Sequence, residues 1–230
     1  MKIAELFYSL QGEGSLIGTP SFFVRTSGCN LRCSWCDTPY TSWQPEGSEM
    51  SLDDICAICA AICAEGRQHP ARHVVVTGGE PMIAPEIVAL TERLRALGMH
   101  ITVETAGTVF KPVACDLMSI SPKLSNSTPE GPWAAQHERL RRQVDVLKKL
   151  MAGYEYQLKF VIARPEDVAE VKSLAAALKA PAERIVLMPE GIDPAILLER
   201  ALWLAEICKA ENFRFSPRLH VDLYGNRRGV

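Results

Sequence analysis

Three cysteines in a short polar loop are the residues best suited to hold a metal centre. Cys29, Cys33 and Cys36 stand at C-x3-C-x2-C spacing, and three thiolates this close in sequence can bind one metal centre. A closed 4Fe–4S or zinc site needs four ligands. The pattern therefore favours an iron–sulfur cluster with one iron open to another ligand. The alternatives are a zinc site that Asp37 or a histidine completes, and ordinary core cysteines.

The other five cysteines fit a core better than a second cluster. Cys56, Cys59 and Cys63 recur at helical spacing beside apolar residues, which predicts one buried helix face. Buried cysteine behaves as a small hydrophobe. We expect these three to pack in the core, with a second metal site as the alternative, and we expect the same of Cys115 and Cys208.

Short apolar strands alternate with helices along the chain, which is typical of parallel βα units. The predicted strands are Ile3–Leu10, Ser21–Thr26, His73–Thr77, His100–Thr105, Asp116–Ser121, Tyr156–Ile162, Arg184–Met188 and Phe213–Phe215. The predicted helices are Ser51–Glu65, Pro85–Leu97, His137–Met151, Glu166–Leu178 and Pro194–Lys209. About six such units favour an α/β fold of the partial, open (β/α) barrel type with about six parallel strands, because a closed barrel usually needs about 250 residues. A doubly wound sheet is the alternative, and we expect residues 1–230 to form a single domain.

Polar and glycine residues collect where the predicted strands end. The groups are Cys29, Gly78-Gly79-Glu80, Glu104-Thr105, Ser121-Pro122-Lys123 and Pro189-Glu190-Gly191. Ligands of parallel α/β folds bind at the carboxyl ends of the strands. We therefore expect all these motifs to share one face.

Composition limits the partners and the cellular location that we expect for this protein. The formal net charge is −2 without a clustered basic excess, which argues against a nucleic-acid partner. No apolar stretch is long enough to cross a membrane, and we expect no signal peptide in the first residues. Eight cysteines without such a signal favour metal ligands over disulfides. We expect a soluble cytoplasmic protein.

The cysteine loop resembles that of the radical S-adenosylmethionine (SAM) enzymes, whose motif has an aromatic residue before the third cysteine. Trp35 stands at that position, and Gly78-Gly79-Glu80-Pro81 is similar to the second motif of that family. The resemblance implies a 4Fe–4S cluster on the three cysteines and SAM chelated to the open iron. One electron from the cluster would then cleave SAM to a 5′-deoxyadenosyl radical that takes hydrogen from a substrate.

The same resemblance implies which residues contact the cofactor. They are Trp35, Cys36, Asp37, Gly79, Glu104, Ser121, Pro122, Lys123, Met188, Pro189, Glu190 and Gly191. Among them, Glu104 would bind the ribose hydroxyls. A solvated strand-end carboxylate is the alternative for Glu104.

Further motifs resemble the 7-carboxy-7-deazaguanine synthase family of radical SAM enzymes. They are Leu10-Gln11-Gly12-Glu13-Gly14, Phe23-Val24-Arg25, Cys36-Asp37-Thr38, Ser121-Pro122-Lys123 and the ending Leu223–Val230. The resemblance implies a ring-contracting lyase of 7-deazapurine (queuosine) biosynthesis. Its substrate would be 6-carboxy-5,6,7,8-tetrahydropterin, its product 7-carboxy-7-deazaguanine, and ammonia would leave. It also implies a homodimer, and a flavodoxin- or ferredoxin-type reductant.

This second resemblance implies a substrate shell and a magnesium ion. Gln11 and the backbone of Leu10 and Gly12 would meet the pterin edge, and Thr77 would join them. Arg25 would bind the substrate carboxylate in bidentate fashion; a surface ion pair is the alternative.

Thr38 would contact Mg²⁺, which prefers oxygen ligands. The alternative for Thr38 is a turn or cap residue. Some relatives have a different tail whose terminus reaches the substrate. For this chain we expect a frayed tail without a contact through Val230.

Two other functions stay open at this point. One is a radical SAM activase that installs a glycyl radical on a partner protein. The other is a non-catalytic iron–sulfur or zinc protein. The Gln11 and Arg25 pair favours a small polar substrate over the first, and Gly78-Gly79-Glu80-Pro81 argues against the second.

Overall fold

A single nine-stranded sheet forms the centre of the molecule in a computed structural model, which describes residues 1–66 and 68–230. The strands are β1 (Lys2–Leu10), β2 (Pro20–Thr26), β3 (Ser48–Glu49), β4 (His73–Gly78), β5 (His100–Thr105), β6 (Leu117–Ile120), β7 (Tyr156–Ile162), β8 (Ile185–Pro189) and β9 (Arg214–Phe215). Their order is β3-β1-β2-β4-β5-β6-β7-β8-β9, so the sheet is open. The predicted partial barrel is confirmed.

The strands from β2 through β4 to β9 are parallel, and β1 is the exception. It pairs antiparallel with both β2 and β3. The physical reason is the connection: a short turn joins β1 to β2, whereas parallel neighbours need a crossover of a dozen or more residues. The six longer parallel strands match the predicted number, and the two-residue β9 adds a seventh.

Eight helices are seen in the described residues, and most cover one side of the sheet. They are α1 (Pro39–Ser42), α2 (Leu52–Ala64), α3 (Ile87–Ala96), α4 (Ala134–Arg141), α5 (Val144–Gly153), α6 (Asp167–Leu178), α7 (Pro194–Glu211) and α8 (Leu219–Tyr224). The prediction of one helix over His137–Met151 is wrong, because the chain leaves the helical conformation at Arg142 and Gln143. Arg141 pairs with Glu170 of α6 and donates to Lys123 O, whereas Leu147 packs in the core, so the two helices are held by different partners.

The two faces of the sheet differ in chemistry. Side chains on the helix side are apolar and fully buried, among them Val24, Val76 and Val103. Residues one step along the same strands face the other way and are mostly polar, as at Arg25 and Thr77. Since side chains alternate across a strand, each strand contributes apolar residues to the core on the helix side and mostly polar residues to the opposite side.

Cysteine packing follows the sequence-based expectation. Cys59, Cys63 and Cys208 are buried in the main core, and Cys56 and Cys115 pack against it. All eight cysteines are thiols. No helix of the described part of the chain is long and apolar enough to cross a membrane.

Candidate active site

A cavity of about 490 Å³ opens at the carboxyl ends of the parallel strands. Its lining includes Cys29, Cys33 and Cys36, the turn after β1, residues near the ends of β2 and β4 to β8, and the last five residues of the chain. Four of the five strand-end motifs therefore meet at this cavity, and Pro189-Glu190-Gly191 lies outside its lining.

The cysteine loop is held through its backbone oxygen atoms. Arg32 Nη1 donates to Cys29 O at 2.7 Å, and Trp43 Nε1 donates to Cys33 O at 3.0 Å. These bonds fix the loop while the three cysteines remain at the cavity wall.

Burial keeps two of these thiols protonated in the metal-free chain. It raises the pKa of Cys29 to about 11 and that of Cys33 to about 12, although the charge of Lys123 acts in the opposite direction. Since thiolates are the metal-binding form, a metal centre must displace protons when it binds here.

The Gly78-Gly79-Glu80 turn packs directly on the cysteine loop. A Cβ on Gly79 would collide with the carbonyl oxygen atoms of Gly28 and Thr41, so only glycine allows this approach. Glu80 has a different task from the glycines. It is buried, accepts hydrogen bonds from Thr105 Oγ1 (2.8 Å) and from two backbone N–H groups, and thereby ties the end of β4 to the end of β5.

A row of polar side chains crosses the cavity floor. The strand register pairs Arg25 with Thr77, and Glu104 with Ser119. Glu104 accepts hydrogen bonds from Thr77 Oγ1 at 2.8 Å and from Gln11 Nε2 at 3.2 Å. Glu104, expected among the cofactor contacts, is thus bonded to two of the residues expected to bind substrate.

Arg25 enters this floor from β2 and is held by its neighbours on β1. Its Nε lies 2.8 Å from Glu5 Oε2, although the pair lacks the alignment of a hydrogen bond. Its guanidinium carbon lies 5.4 Å from the ring centre of Phe7, which stacks on Phe23 with ring centres 4.7 Å apart. Among the described residues, neither of its two Nη atoms donates a hydrogen bond, and the pair with Glu5 is made through Nε, so both Nη atoms can serve a ligand.

Comparisons with known proteins identify the family of this chain. The Radical SAM superfamily model matches residues 23–123. The 7-carboxy-7-deazaguanine synthase of Halobacterium salinarum is 47% identical over 98% of this chain and 91% of its own length. That of Rhodopirellula baltica is 41% identical over 99% and 88%. The chain belongs to the 7-carboxy-7-deazaguanine synthase family.

A solved structure supports the same grouping. The crystal structure of QueE from Escherichia coli aligns with a TM-score of 0.66 and 30% identity, covering 95% of this chain and 94% of that one. The radical SAM family to which these enzymes belong uses a 4Fe–4S cluster and SAM.

The residues present fit the 4Fe–4S cluster of the 7-carboxy-7-deazaguanine synthase family. The donor set is three cysteines, which leaves one iron for SAM. Donors also reach the sulfur atoms, as clusters favour: Leu31 N lies 3.4 Å from Cys29 Sγ, and Ser42 Oγ lies 3.2 Å from Cys36 Sγ. No three Cys, His, Asp or Glu side chains of the described residues converge on a single metal ion. Cluster cysteines need not converge in that way, because each binds a different iron.

Most residues expected to contact the cofactor in this family line the cavity. They are Trp35, Cys36, Asp37, Gly79, Glu104, Ser121, Lys123 and Met188. Four others lie outside the lining, and one of these, Glu190, pairs its carboxylate with Arg200. The remaining three are Pro122, Pro189 and Gly191.

All residues expected to bind substrate or magnesium line the cavity. They are Leu10, Gln11, Gly12, Arg25, Thr38 and Thr77. Thr38 precedes α1, but its side chain makes no capping hydrogen bond there. Its hydroxyl lies 3.9 Å from Cys36 Sγ. The alternative interpretation of Thr38, a turn or cap residue, therefore holds for its backbone position before α1 but not for its side chain.

A buried group of charges beside the cavity was missed from the sequence. Glu13 pairs with Lys159 of β7 and with Arg218, and Arg218 also pairs with Asp37. The two cations hold the pKa of Glu13 well below its usual range, against the effect of burial. Lys159 could have been found, since it is the lone cation of an apolar strand, as Arg25 is in β2.

The carboxyl-terminal tail is ordered against the cavity, contrary to the expectation from the sequence. The expectation of a frayed tail is wrong, because residues 226–230 line the cavity. Arg228 pairs with Glu5 at 3.2 Å and with Glu46 at 3.1 Å, and lies over the ring of Tyr40. These partners lie far away in sequence, so no local pattern predicts the contact.

Proposed function

We propose that this chain is a 7-carboxy-7-deazaguanine synthase, a radical SAM lyase that converts 6-carboxy-5,6,7,8-tetrahydropterin to 7-carboxy-7-deazaguanine and ammonia. The observation that carries this proposal is one cavity that holds both the three thiols of a SAM-binding cluster and a row of groups suited to a flat, carboxylated ring. An activase acting on a protein glycine would have less use for such a row.

The cluster and SAM, when bound, supply a one-electron cleavage that generates a carbon radical able to take hydrogen from the substrate. The task of the chain is to position the pterin and exclude water. Arg25 offers both Nη atoms to the carboxylate, while Glu5 holds its Nε. The Phe7 and Phe23 pair forms an apolar wall beside it.

Polar groups at the other side of the floor would orient the ring. Gln11 is held by Glu104, and its own Oε1 accepts from Glu13 N at 3.2 Å. The Thr77 hydroxyl donates its hydrogen to Glu104. The lone pairs of the Thr77 oxygen are then left to accept from an N–H of the substrate. Glu104 would accept from the ribose of SAM while it orients these two residues.

The proposal also includes a magnesium ion, an electron donor and a homodimeric assembly. Thr38 would offer its hydroxyl oxygen to Mg²⁺, an ion that prefers oxygen ligands. We infer a flavodoxin- or ferredoxin-type electron donor, a homodimer and a cytoplasmic location from the family. We also infer one radical SAM domain over residues 1–230, because strands from Lys2 to Phe215 share one sheet and one main core.

Anaerobic turnover tests the proposed reaction. Protein reconstituted with iron and sulfide receives reductant, Mg²⁺, SAM and the carboxytetrahydropterin. We expect the deazaguanine and ammonia in equal amounts. Formation of 5′-deoxyadenosine without deazaguanine would show that the substrate is wrong, and a Cys33→Ala protein serves as the inactive control.

A further inference from the structure

Arg218 lies at the point where three loops of the site meet. It immediately precedes α8 and is almost fully buried, with 6% of its side chain exposed. A buried guanidinium is stable only when its charge and its donors are paired. The identity of its partners therefore tells which parts of the site depend on it.

Each edge of the Arg218 guanidinium reaches a different loop. Nε lies 3.3 Å from Glu13 Oε1 in the turn after β1, and Nη2 pairs with Asp37 Oδ2 in the cysteine loop. Nη1 donates to Gly191 O at 2.6 Å in the loop after β8. The planar guanidinium spreads its donors over three nitrogen atoms and can reach three loops, whereas lysine has its three donors on a single nitrogen atom and cannot span the same distance.

Two of these loops carry the groups that must meet during the reaction. Glu13 follows Gly12 directly and its N–H binds Gln11 Oε1, so it belongs to the turn expected to hold the pterin. Asp37 lies between Cys36 and Thr38, in the loop expected to hold the cluster and Mg²⁺. A displacement of Arg218 would therefore move substrate and cofactor relative to each other.

We propose that Arg218 is a positioning residue that sets the distance between the substrate turn and the cluster loop, and so keeps cleavage of SAM coupled to ring contraction. This inference rests on the proposed function. The expected effect is on the coupling of SAM cleavage to ring contraction, because Arg218 bonds both the turn that would hold the pterin and the loop that would hold the cluster. A misplacement of about 1 Å between reacting groups can reduce a reaction about 100-fold.

The test compares Arg218→Lys with Arg184→Lys in the reconstituted holoenzyme. Lysine keeps the positive charge that Glu13 and Asp37 need, which favours folding. Arg184 is a matched control, because it pairs with Glu155 and binds Tyr156 O at the opposite end of the sheet. The measured quantity is the ratio of 5′-deoxyadenosine to deazaguanine formed.

We expect this ratio to rise at least about tenfold in Arg218→Lys and to stay unchanged in Arg184→Lys. The cluster absorbance should persist in both. If Arg218 only supported folding, Arg218→Lys would lower the yield of active enzyme with an unchanged ratio, and that result would overturn the inference.

Hydrogen exchange gives a readout that does not depend on turnover. In Arg218→Lys we expect faster exchange of the amides in residues 11–18, 34–43 and 219–224 together, with the sheet unaffected. Faster exchange confined to residues 217–224 would overturn the link between loops. A wild-type enzyme that forms no deazaguanine would refute the proposed function instead, and the exchange pattern would still decide whether Arg218 joins the loops.

Discussion

Arg25 shows how one residue of the floor could be prepared for the proposed substrate carboxylate. Glu5 fixes one edge of its guanidinium, and Tyr40 donates to the same carboxylate at 2.8 Å. The other edge faces the cavity. Arg25 can therefore form an ion pair with Glu5 through one edge and still offer the other edge to a substrate carboxylate, so the two interpretations of Arg25 are compatible.

Replacing Arg25 with Gln should raise the KM for the pterin about 10- to 100-fold. The reason is that hydrogen bonds to charged groups contribute about 1.5–3 kcal/mol, and each 1.4 kcal/mol is about tenfold in affinity. Steady-state kinetics measure KM, and absorbance checks the cluster. Arg164→Gln, at an exposed site, is the control. Loss of the cluster in Arg25→Gln would mean that Arg25 is structural.

The two groups of cysteines should respond differently to substitution. Cys33→Ala should abolish cluster binding, because it removes one of three ligands. Cys59→Ala should keep the cluster and cost about 1 kcal/mol of unfolding free energy, since a buried atom is lost from the core. Iron content and urea unfolding measure these effects. Loss of iron from Cys59→Ala would contradict the assignment of Cys59 to the core.

His73 should make the metal-free protein less stable in mild acid. Its ring is buried, with Ser21 Oγ at 2.7 Å, Thr102 Oγ1 at 2.8 Å and His100 as its ring neighbour. Burial lowers the pKa of His73 to about 4 from the ordinary 6.5. Between these values the unfolded chain binds more protons than the native one. The free energy of unfolding therefore falls as the pH drops from 6.5 towards 4.

Urea midpoints at several pH values between about 7 and about 5 test this dependence. His73→Gln keeps a polar side chain without the titration, so its midpoint should fall less steeply across that range. Parallel curves for the two proteins would assign the pH dependence to other groups.

At the scale of elements, the tail after α8 is part of the cavity wall. Its Arg228 joins Glu5, Glu46 and Tyr40, and Glu5 in turn holds Arg25. The tail thus shares a partner with the floor of the site, which gives it a route to affect substrate binding.

Arg228→Ala should loosen this tail without unfolding the protein. Hydrogen exchange of residues 226–230 should rise and the KM for the pterin should increase. Unfolding free energy should change by less than about 1 kcal/mol, because exposed ion pairs contribute little. The neighbouring Arg227→Ala is the control, since Arg227 forms no ion pair with the described residues. Equal exchange in both variants would show that Arg228 does not hold the tail.

At the scale of the whole molecule, the features that could be predicted are those that a local sequence pattern marks. Short runs of apolar and β-prone residues locate β2, β4, β5 and β7, and glycine or charged residues mark their ends. The cluster loop follows the end of β2, whereas Arg25 and Thr77 were singled out through the family resemblance. The fold and most of the cavity lining could therefore be predicted.

Contacts between distant segments could not be predicted in this way. Arg218 meets Glu13 across 205 residues, and Arg228 meets Glu5 across 223. A sequence pattern extends over a few residues and does not say which loops meet in space. The break between α4 and α5 has the same origin, because Arg141 and Leu147 face different distant partners.

Deuterium transfer tests the central claim that this cavity brings the pterin ring against SAM. In the proposed reaction the radical takes hydrogen from C6 of the pterin, and hydrogen later returns to 5′-deoxyadenosine to regenerate SAM. The reconstituted enzyme is given carboxytetrahydropterin with deuterium at C6, and SAM and 5′-deoxyadenosine are analysed by mass spectrometry. We expect deuterium in the 5′ position of both, together with formation of 7-carboxy-7-deazaguanine. SAM cleavage that leaves the deuterium in the pterin would contradict the claim.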